Sequence, residues 1–209
     1  YANIRKITLF LLSCGVAEVL FYLLSVGFDY DLPLLAIQLL WINVVTDGLQ
    51  DIALSFETAS YDIMNEKPRN TKESLFNKDL MLEVIIFGVS IGLMVFLTWK
   101  FLIDRNTNLL LARSIVMTLM VFIQNIHVLN CRSEKNSVFT TSLLTNKFVI
   151  ITIISSILLQ FVVTEIGLFA NLLNITTLSI PTVLIIFALS LIIIIIAEIY
   201  KVVYRKLNN

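Results

Sequence analysis

The chain is 209 residues long, 58% of them hydrophobic and only 14% charged, with fifteen basic and fifteen acidic side chains summing to a formal charge of zero. A soluble domain carries charge nearer a quarter, so this composition excludes one and describes an integral membrane protein. The zero net charge hides an uneven distribution and by itself says nothing of acidic partners; the expected surroundings are a lipid bilayer, with no nucleic acid.

A window of about 20 residues finds six apolar stretches long enough to cross a bilayer, at about 7–27, 33–56, 80–103, 109–130, 148–173 and 180–203. Each is expected to be a helix, because hydrocarbon demands that backbone polar groups be satisfied within the segment. The predicted fold class is therefore an all-α membrane protein, a bundle of six transmembrane helices. Tyr1 is followed almost at once by the first apolar run, with no signal-peptide features, so the sequence reads as a piece of something longer.

Between the first two spans lie only Phe28 to Leu32, whereas the polar stretch 57–79 separates the second and third. Counting basic residues sets the orientation, since Lys and Arg accumulate on the cytoplasmic side. With a cytoplasmic N-terminus, twelve of the fifteen fall on that side and only Lys100, Arg105 and Arg113 on the other. Both termini and the 57–79 loop are thus expected in the cytoplasm, in a multi-pass protein whose particular membrane, bacterial plasma membrane or eukaryotic plasma or organelle membrane, the sequence does not distinguish.

The second span contains Asn43, Thr46 and Asp47, spaced i, i+3 and i+4 and so on one helical face. Gly48 follows, which permits the helix to loosen near Thr46–Gly48 and free backbone carbonyls as ligands. In the first span Glu18 is the only acidic residue, with Gly15 one turn earlier, a position that would let a neighbouring helix come close. A carboxylate inside a membrane is costly and marks a functional site by default. Antiparallel packing would bring Glu18 and Asp47 together near mid-membrane, where two carboxylates with neutral oxygens from Asn43 and Thr46 suit one divalent cation. An oxygen-only, flexible set favours calcium over magnesium, and His127 is a thin basis for a transition metal. Structural hydrogen bonding across helices and a proton relay are the competing readings; no Lys or Arg in the interior of the first two spans neutralises the two acids.

The run Gln38-Leu39-Leu40-Trp41-Ile42-Asn43-Val44-Val45-Thr46-Asp47-Gly48-Leu49, followed by Asp62-Ile63-Met64 and Pro68-Arg69, closely resembles the sixth transmembrane helix and following loop of P-type cation-transporting ATPases, in the branch of the calcium and sodium/potassium pumps. Tyr1-Ala2-Asn3 and Ser13-Cys14-Gly15-Val16-Ala17-Glu18-Val19 look like the fifth helix, and Asn130-Cys131-Arg132-Ser133-Glu134-Lys135-Asn136-Ser137-Val138-Phe139 is similar to the loop after the eighth. The resemblance implies a C-terminal transmembrane domain, helices five to ten, over residues 1–209. It also implies metal ligands at Glu18, Asn43, Thr46 and Asp47, with Gln124 a weaker candidate and His127 weaker still.

The family's two-ion calcium pumps have an asparagine where Gly15 stands and an acid where Gln124 stands, so a single calcium per cycle is expected. They also continue Pro-Ala after Gly48-Leu49, where this chain has Gln50-Asp51. No Asp-Lys-Thr-Gly-Thr phosphorylation motif and no nucleotide-binding domain occur in the 209 residues. The resemblance therefore implies that calcium is the transported ion, while ATP and Mg2+ belong to the full-length pump only. The implied partners are the first four helices and the actuator, phosphorylation and nucleotide domains, this chain contributing half of the ion site and no catalytic residue. Alternatives are the same pump carrying Na+, K+, Mn2+ or H+, or a stand-alone secondary transporter or channel; no second Asn-x-x-Thr-Asp pattern supports the repeats the latter would need.

The remaining polar residues have blander expectations. Asp51, Glu57, Asp62, Glu66, Glu73 and Asp79 read as solvated or loop-capping charges, with Asp62-Ile63-Met64 a coupling segment in the family. Glu165 reads as a protonated or helix-bonded acid, and Glu198 with Lys201 as reaching the interface. Trp41 and Trp99 fit packing or belt positions, Asn174-Ile175-Thr176 matches a glycosylation acceptor pattern that is common by chance, and Cys14 and Cys131 read as small buried hydrophobes that leave the redox compartment undetermined.

Overall fold

The computed structural model describes residues 1–58, 75–133 and 136–208 as helices and connecting turns, with no strand among the described residues. The helices are α1 (Ala2–Gly27), α2 (Ala36–Val45), α3 (Asp47–Ser55), α4 (Lys78–Asp104), α5 (Leu109–Cys131), α6 (Lys147–Glu165), α7 (Gly167–Leu173), α8 (Ile180–Ser190) and α9 (Ile192–Asn208). Five rods, taking Ile180–Lys206 as one, are long and apolar enough to cross a membrane. The all-helical membrane bundle expected from the sequence is therefore what the chain forms. Asp62, Glu66, Glu73, the Asp62-Ile63-Met64 segment and Pro68-Arg69 lie outside the described residues.

Asn and Ser side chains start several of these helices. Asn77, Asn108, Asn146 and Ser179 each accept a hydrogen bond from a first-turn N–H of α4, α5, α6 and α8, meeting donors that hydrocarbon or a dry interface would leave unsatisfied. α5 is the hub: every residue from Ser114 to Val128 is buried, so its sequence shows no polar face.

α1 and α4 form the most extensive helix pair. A Cβ on Gly88 would lie 2.6 Å from Val16 Cγ1 and 3.0 Å from Ser13 O, and one on Gly92 would lie 2.9 Å from Ala17 O. Small residues four apart let two backbones approach, and here they are on α4. Gly15, expected to serve that purpose, is exposed, with nothing within 4 Å of a Cβ.

The second apolar stretch is two helices, not one. Thr46, with φ −109° and ψ −72°, separates α2 from α3. The break lies within the Thr46–Gly48 stretch singled out above, but Gly48 itself is helical and no glycine has positive φ, so glycine's conformational freedom is not what breaks the helix. A second interruption, at Ile166, divides the fifth stretch into α6 and α7, and Asn174 caps α7 in the left-handed conformation.

The two ends of the bundle are chemically distinct. At one end Asn3, Arg132 and Asn146 all hydrogen-bond to Glu57 and Lys201 donates to Asn130 O, with Arg5, Lys6, Lys78, Lys147 and Arg205 on the same helix ends. At the other, Asp104 accepts from Tyr30 (2.8 Å) and Lys100 (2.7 Å), Arg113 donates to Leu32 O (2.8 Å), and Gln38 donates to Leu173 O (2.9 Å).

Three expectations about charged residues are corrected by burial. Glu57 is not solvated: it is 7% exposed and bonded to Arg132. Asp51 belongs to α3, not a loop, and its Oδ1 is buried without a hydrogen-bond partner among the described residues. Lys201 does not reach outward; it is 2% exposed and donates to Asn130 O (3.2 Å). Glu198, beside it and half-buried, accepts from Val138 N (2.8 Å). Glu57, Lys201 and Glu198 thus take their partners from segments distant in sequence.

Candidate functional site

The break at Thr46 gathers three helices. The Thr46 hydroxyl has one proton and two acceptors in reach, Ile42 O at 2.7 Å and Gln124 Oε1 at 2.5 Å. On its other side Gln124 Nε2 donates to Glu18 Oε1 at 3.1 Å. One fully buried amide on α5 thus bridges the acid of α1 to the hydroxyl at the break. Asp47 opens α3, with Oδ1 3.5 Å from Thr46 Oγ1. Its place at a helix N-terminus is favourable for a negative charge.

Glu18, Thr46, Asp47 and Gln124 are therefore brought into one cluster. Asn43 is not: it is exposed on α2 and hydrogen-bonds to none of them. The reason is the break itself, which ends the i, i+4 register that would have aligned Asn43 with Asp47. His127 is also separate, its Nε2 lying 2.8 Å from Ser13 Oγ and its ring packed between Phe10 and Phe87. It joins α5 to α1 within a dry interface.

Glu18 lines a groove of about 310 Å³ with Val19, Tyr22, Leu23 and Leu39, open to the outside of the bundle. Among the described residues no three His, Cys, Asp or Glu side chains are grouped so as to hold a metal ion. The oxygens present are those of two carboxylates, a hydroxyl and an amide, which are hard ligands of the kind calcium prefers, and of these residues Glu18 lines the groove.

Several contributors have little signal in the sequence. Below the cluster Gln50 donates to Asn125 Oδ1 (2.7 Å) and accepts from Thr152 (2.8 Å), while Asn125 donates to Ser156 (2.7 Å). Above it Trp41 donates to Gln160 (2.9 Å), which donates to Thr118 (3.2 Å). These bonds pin both halves of the broken helix to α5 and α6. Only the polar side chains inside apolar runs hinted at them. Gly88 and Gly92 had a readable signature, two glycines four apart in an apolar 20-mer.

Glu165 is exposed at the end of α6, and Trp99 is fully buried. Cys14 and Cys131 are buried and free.

A multi-pass helical bundle with acid, hydroxyl and amide facing a broken helix is a membrane domain built around a polar centre. Residues 31–203 match the family described as the C-terminus of cation transporting ATPases, and the chain belongs to that family. It is 41% identical over 164 residues to a calcium-transporting ATPase of Bacillus subtilis (strain 168), covering 78% of this chain and 18% of that protein. Over 99% of its length it is 32% identical to calcium-transporting ATPase 1 of Bacillus cereus, and 31% identical to human calcium-transporting ATPase type 2C member 1. It spans 25% and 22% of those two proteins, about a quarter or less of each relative.

Proposed function

We propose that the chain is the ion-transport domain of an ATP-driven calcium pump, with both termini cytoplasmic, and that Glu18, Thr46 and Asp47 supply ligands for the transported calcium. The observation that carries this reading is the Glu18–Gln124–Thr46 bridge at the helix break, with Asp47 beside it. Gln124 is satisfied on both sides by protein, so its role is to hold ligands more than to be one. In this reading Asn43, exposed on α2, adds its oxygen to the shell when the ion is bound.

The remaining ligands come from helices preceding this chain, which would cover the groove beside Glu18. ATP and Mg2+ act in the other domains of the whole pump. The names of the relatives, all calcium-transporting ATPases, support calcium over Na+, K+, Mn2+ or H+. With Gly15 offering no side chain and Gln124 engaged, oxygens suffice for one ion per cycle.

Phosphoenzyme formation from ATP in the full-length pump, measured across calcium, manganese, sodium and potassium, tests the assignment. Asp47→Asn and Glu18→Gln are expected to weaken calcium dependence roughly 100-fold, since each removes a charged ligand. Unchanged calcium dependence in Asp47→Asn would show the site to be elsewhere. Counting occluded calcium per phosphoenzyme should give one; two would overturn the stoichiometry.

A further inference from the structure

A charged pair with several hydrogen bonds lies at the end of α3 opposite the ion-site cluster. Arg132 Nε and a terminal nitrogen each donate to Glu57 at 2.9 Å, with the two side chains only 1% and 4% exposed. Arg132 also donates to Ser142 O (3.1 Å) and Thr145 Oγ1 (2.7 Å). Asn146, at the N-cap of α6, donates to Glu57 Oε2 and Ala53 O, both at 2.9 Å. Asn3, in the first turn of α1, donates to Ser55 O and Glu57 O, both at 2.9 Å.

The helices that converge here are the ones that carry the ion-site cluster. Asn3 belongs to α1, which carries Glu18; Glu57 follows α3, which begins at Asp47; Arg132 follows α5, which carries Gln124. α3 is nine residues long, a rod of roughly 13 Å, and its covalent link to α2 is Thr46, the single residue between the two helices. A helix so short, interrupted at one end, takes its axial position and rotation from the Gln50 contacts along it and from what grips its other end. A bidentate arginine–carboxylate pair fixes orientation as well as distance.

We propose that Glu57 and Arg132 are positioning residues for the ion site: their buried pair, with Asn3 and Asn146, sets α1, α3 and α5 in register so that Glu18, Asp47 and Gln124 face one another. This rests on the calcium-pump reading above. A mere staple would affect folding alone. A positioning clamp changes ion affinity in protein that remains folded.

The test uses the full-length pump and two readouts. Phosphorylation by inorganic phosphate without calcium reports a folded, competent enzyme, and the calcium dependence of phosphorylation by ATP reports the ion site. Glu57→Gln is expected to shift the half-maximal calcium concentration upward roughly 10-fold or more, as loss of a partner that orients ligands does, with phosphate labelling retained. Arg132→Lys keeps the charge but loses the fork, and should shift it by about 3-fold. Wild-type calcium dependence in a Glu57→Gln pump that retains phosphate labelling overturns the proposal. Should Glu57→Gln lose phosphate labelling, Arg132→Lys decides, and an unshifted curve there overturns it equally. If the wild type shows no calcium dependence at all, the pump reading fails instead, and the shift is read on whichever cation does support phosphorylation.

Discussion

Gln124 shows why an amide can outperform an acid at a shared site. Its Nε2 donates to Glu18 while its Oε1 lies 2.5 Å from the Thr46 hydroxyl, a pairing that a carboxylate would turn into repulsion against Glu18. Gln124→Leu removes both contacts in a buried place and is expected to lower stability by about 1–3 kcal/mol, read as thermal unfolding in detergent. Asp51 is the converse case, an acid one turn from Asp47 with a buried oxygen that has no hydrogen-bond partner among the described residues. Like charges at that spacing destabilise a helix, so Asp51→Asn should raise the unfolding temperature by roughly 1–2 °C without calcium; a fall would mean that Asp51 has a stabilising partner. Glu18, Thr46 and Asp47 were legible because acids and hydroxyls inside apolar runs are few and conspicuous. The exposure of Asn43 was not, since reading i and i+4 as one face assumes an unbroken helix. Glu57 was misread because a charge at the edge of an apolar run is ordinarily solvated, and nothing local announces an arginine 75 positions away.

At the scale of helices, the α1–α4 seam is where space is tightest. Gly92 faces the Ala17 carbonyl, which has no flexible end to move aside, so Gly92→Val should force α1 and α4 apart. Overpacking of this kind costs about 1–3 kcal/mol, and the same thermal measurement in detergent should show a loss for Gly92→Val and no change for Gly15→Ala. Equal losses would mean that the helices pack through Gly15 as well. The break between α2 and α3 arises without proline, and Gln50 N still donates to Thr46 O (2.8 Å). Its side chain links α3 to α5 and α6. The helices themselves were readable from apolar length, because membrane spans obey one dominant constraint. The interruptions at Thr46 and Ile166 were less so, because a break depends on partners in other helices that satisfy the freed groups.

Across the whole molecule the basic end is knotted by buried ionic and amide contacts, while the middle of α1 and α2 is left open. Val19 and Leu23, both exposed, line the groove with Glu18, and Leu40 and Val44 are exposed on α2. The arrangement suits a half-site held firmly from one end and completed from the side by further helices. Charge counting distinguished the two ends from the sequence, because basic residues were already segregated along the chain. Which side was open could not be read that way, since lipid-facing and protein-facing surfaces of a membrane helix are equally apolar.

The break at Thr46 also bears on how the chain enters a membrane during synthesis. Neither α2 nor α3 approaches the roughly 20 apolar residues of a self-sufficient span, and Asp47 and Asp51 each add about 2.5–3.5 kcal/mol to insertion near a helix centre. Residues 36–55 placed alone in a carrier protein are expected to slip through the translocon into the lumen, as judged by glycan tagging. With residues 1–35 ahead of them they should be retained, escorted by α1, whose Glu18 and Asn3 lie beside α3. Replacing both aspartates with leucine should make the isolated segment insert by itself. The same break that puts Asp47 at the start of α3 thus obliges this part of the protein to be delivered to the bilayer as a hairpin.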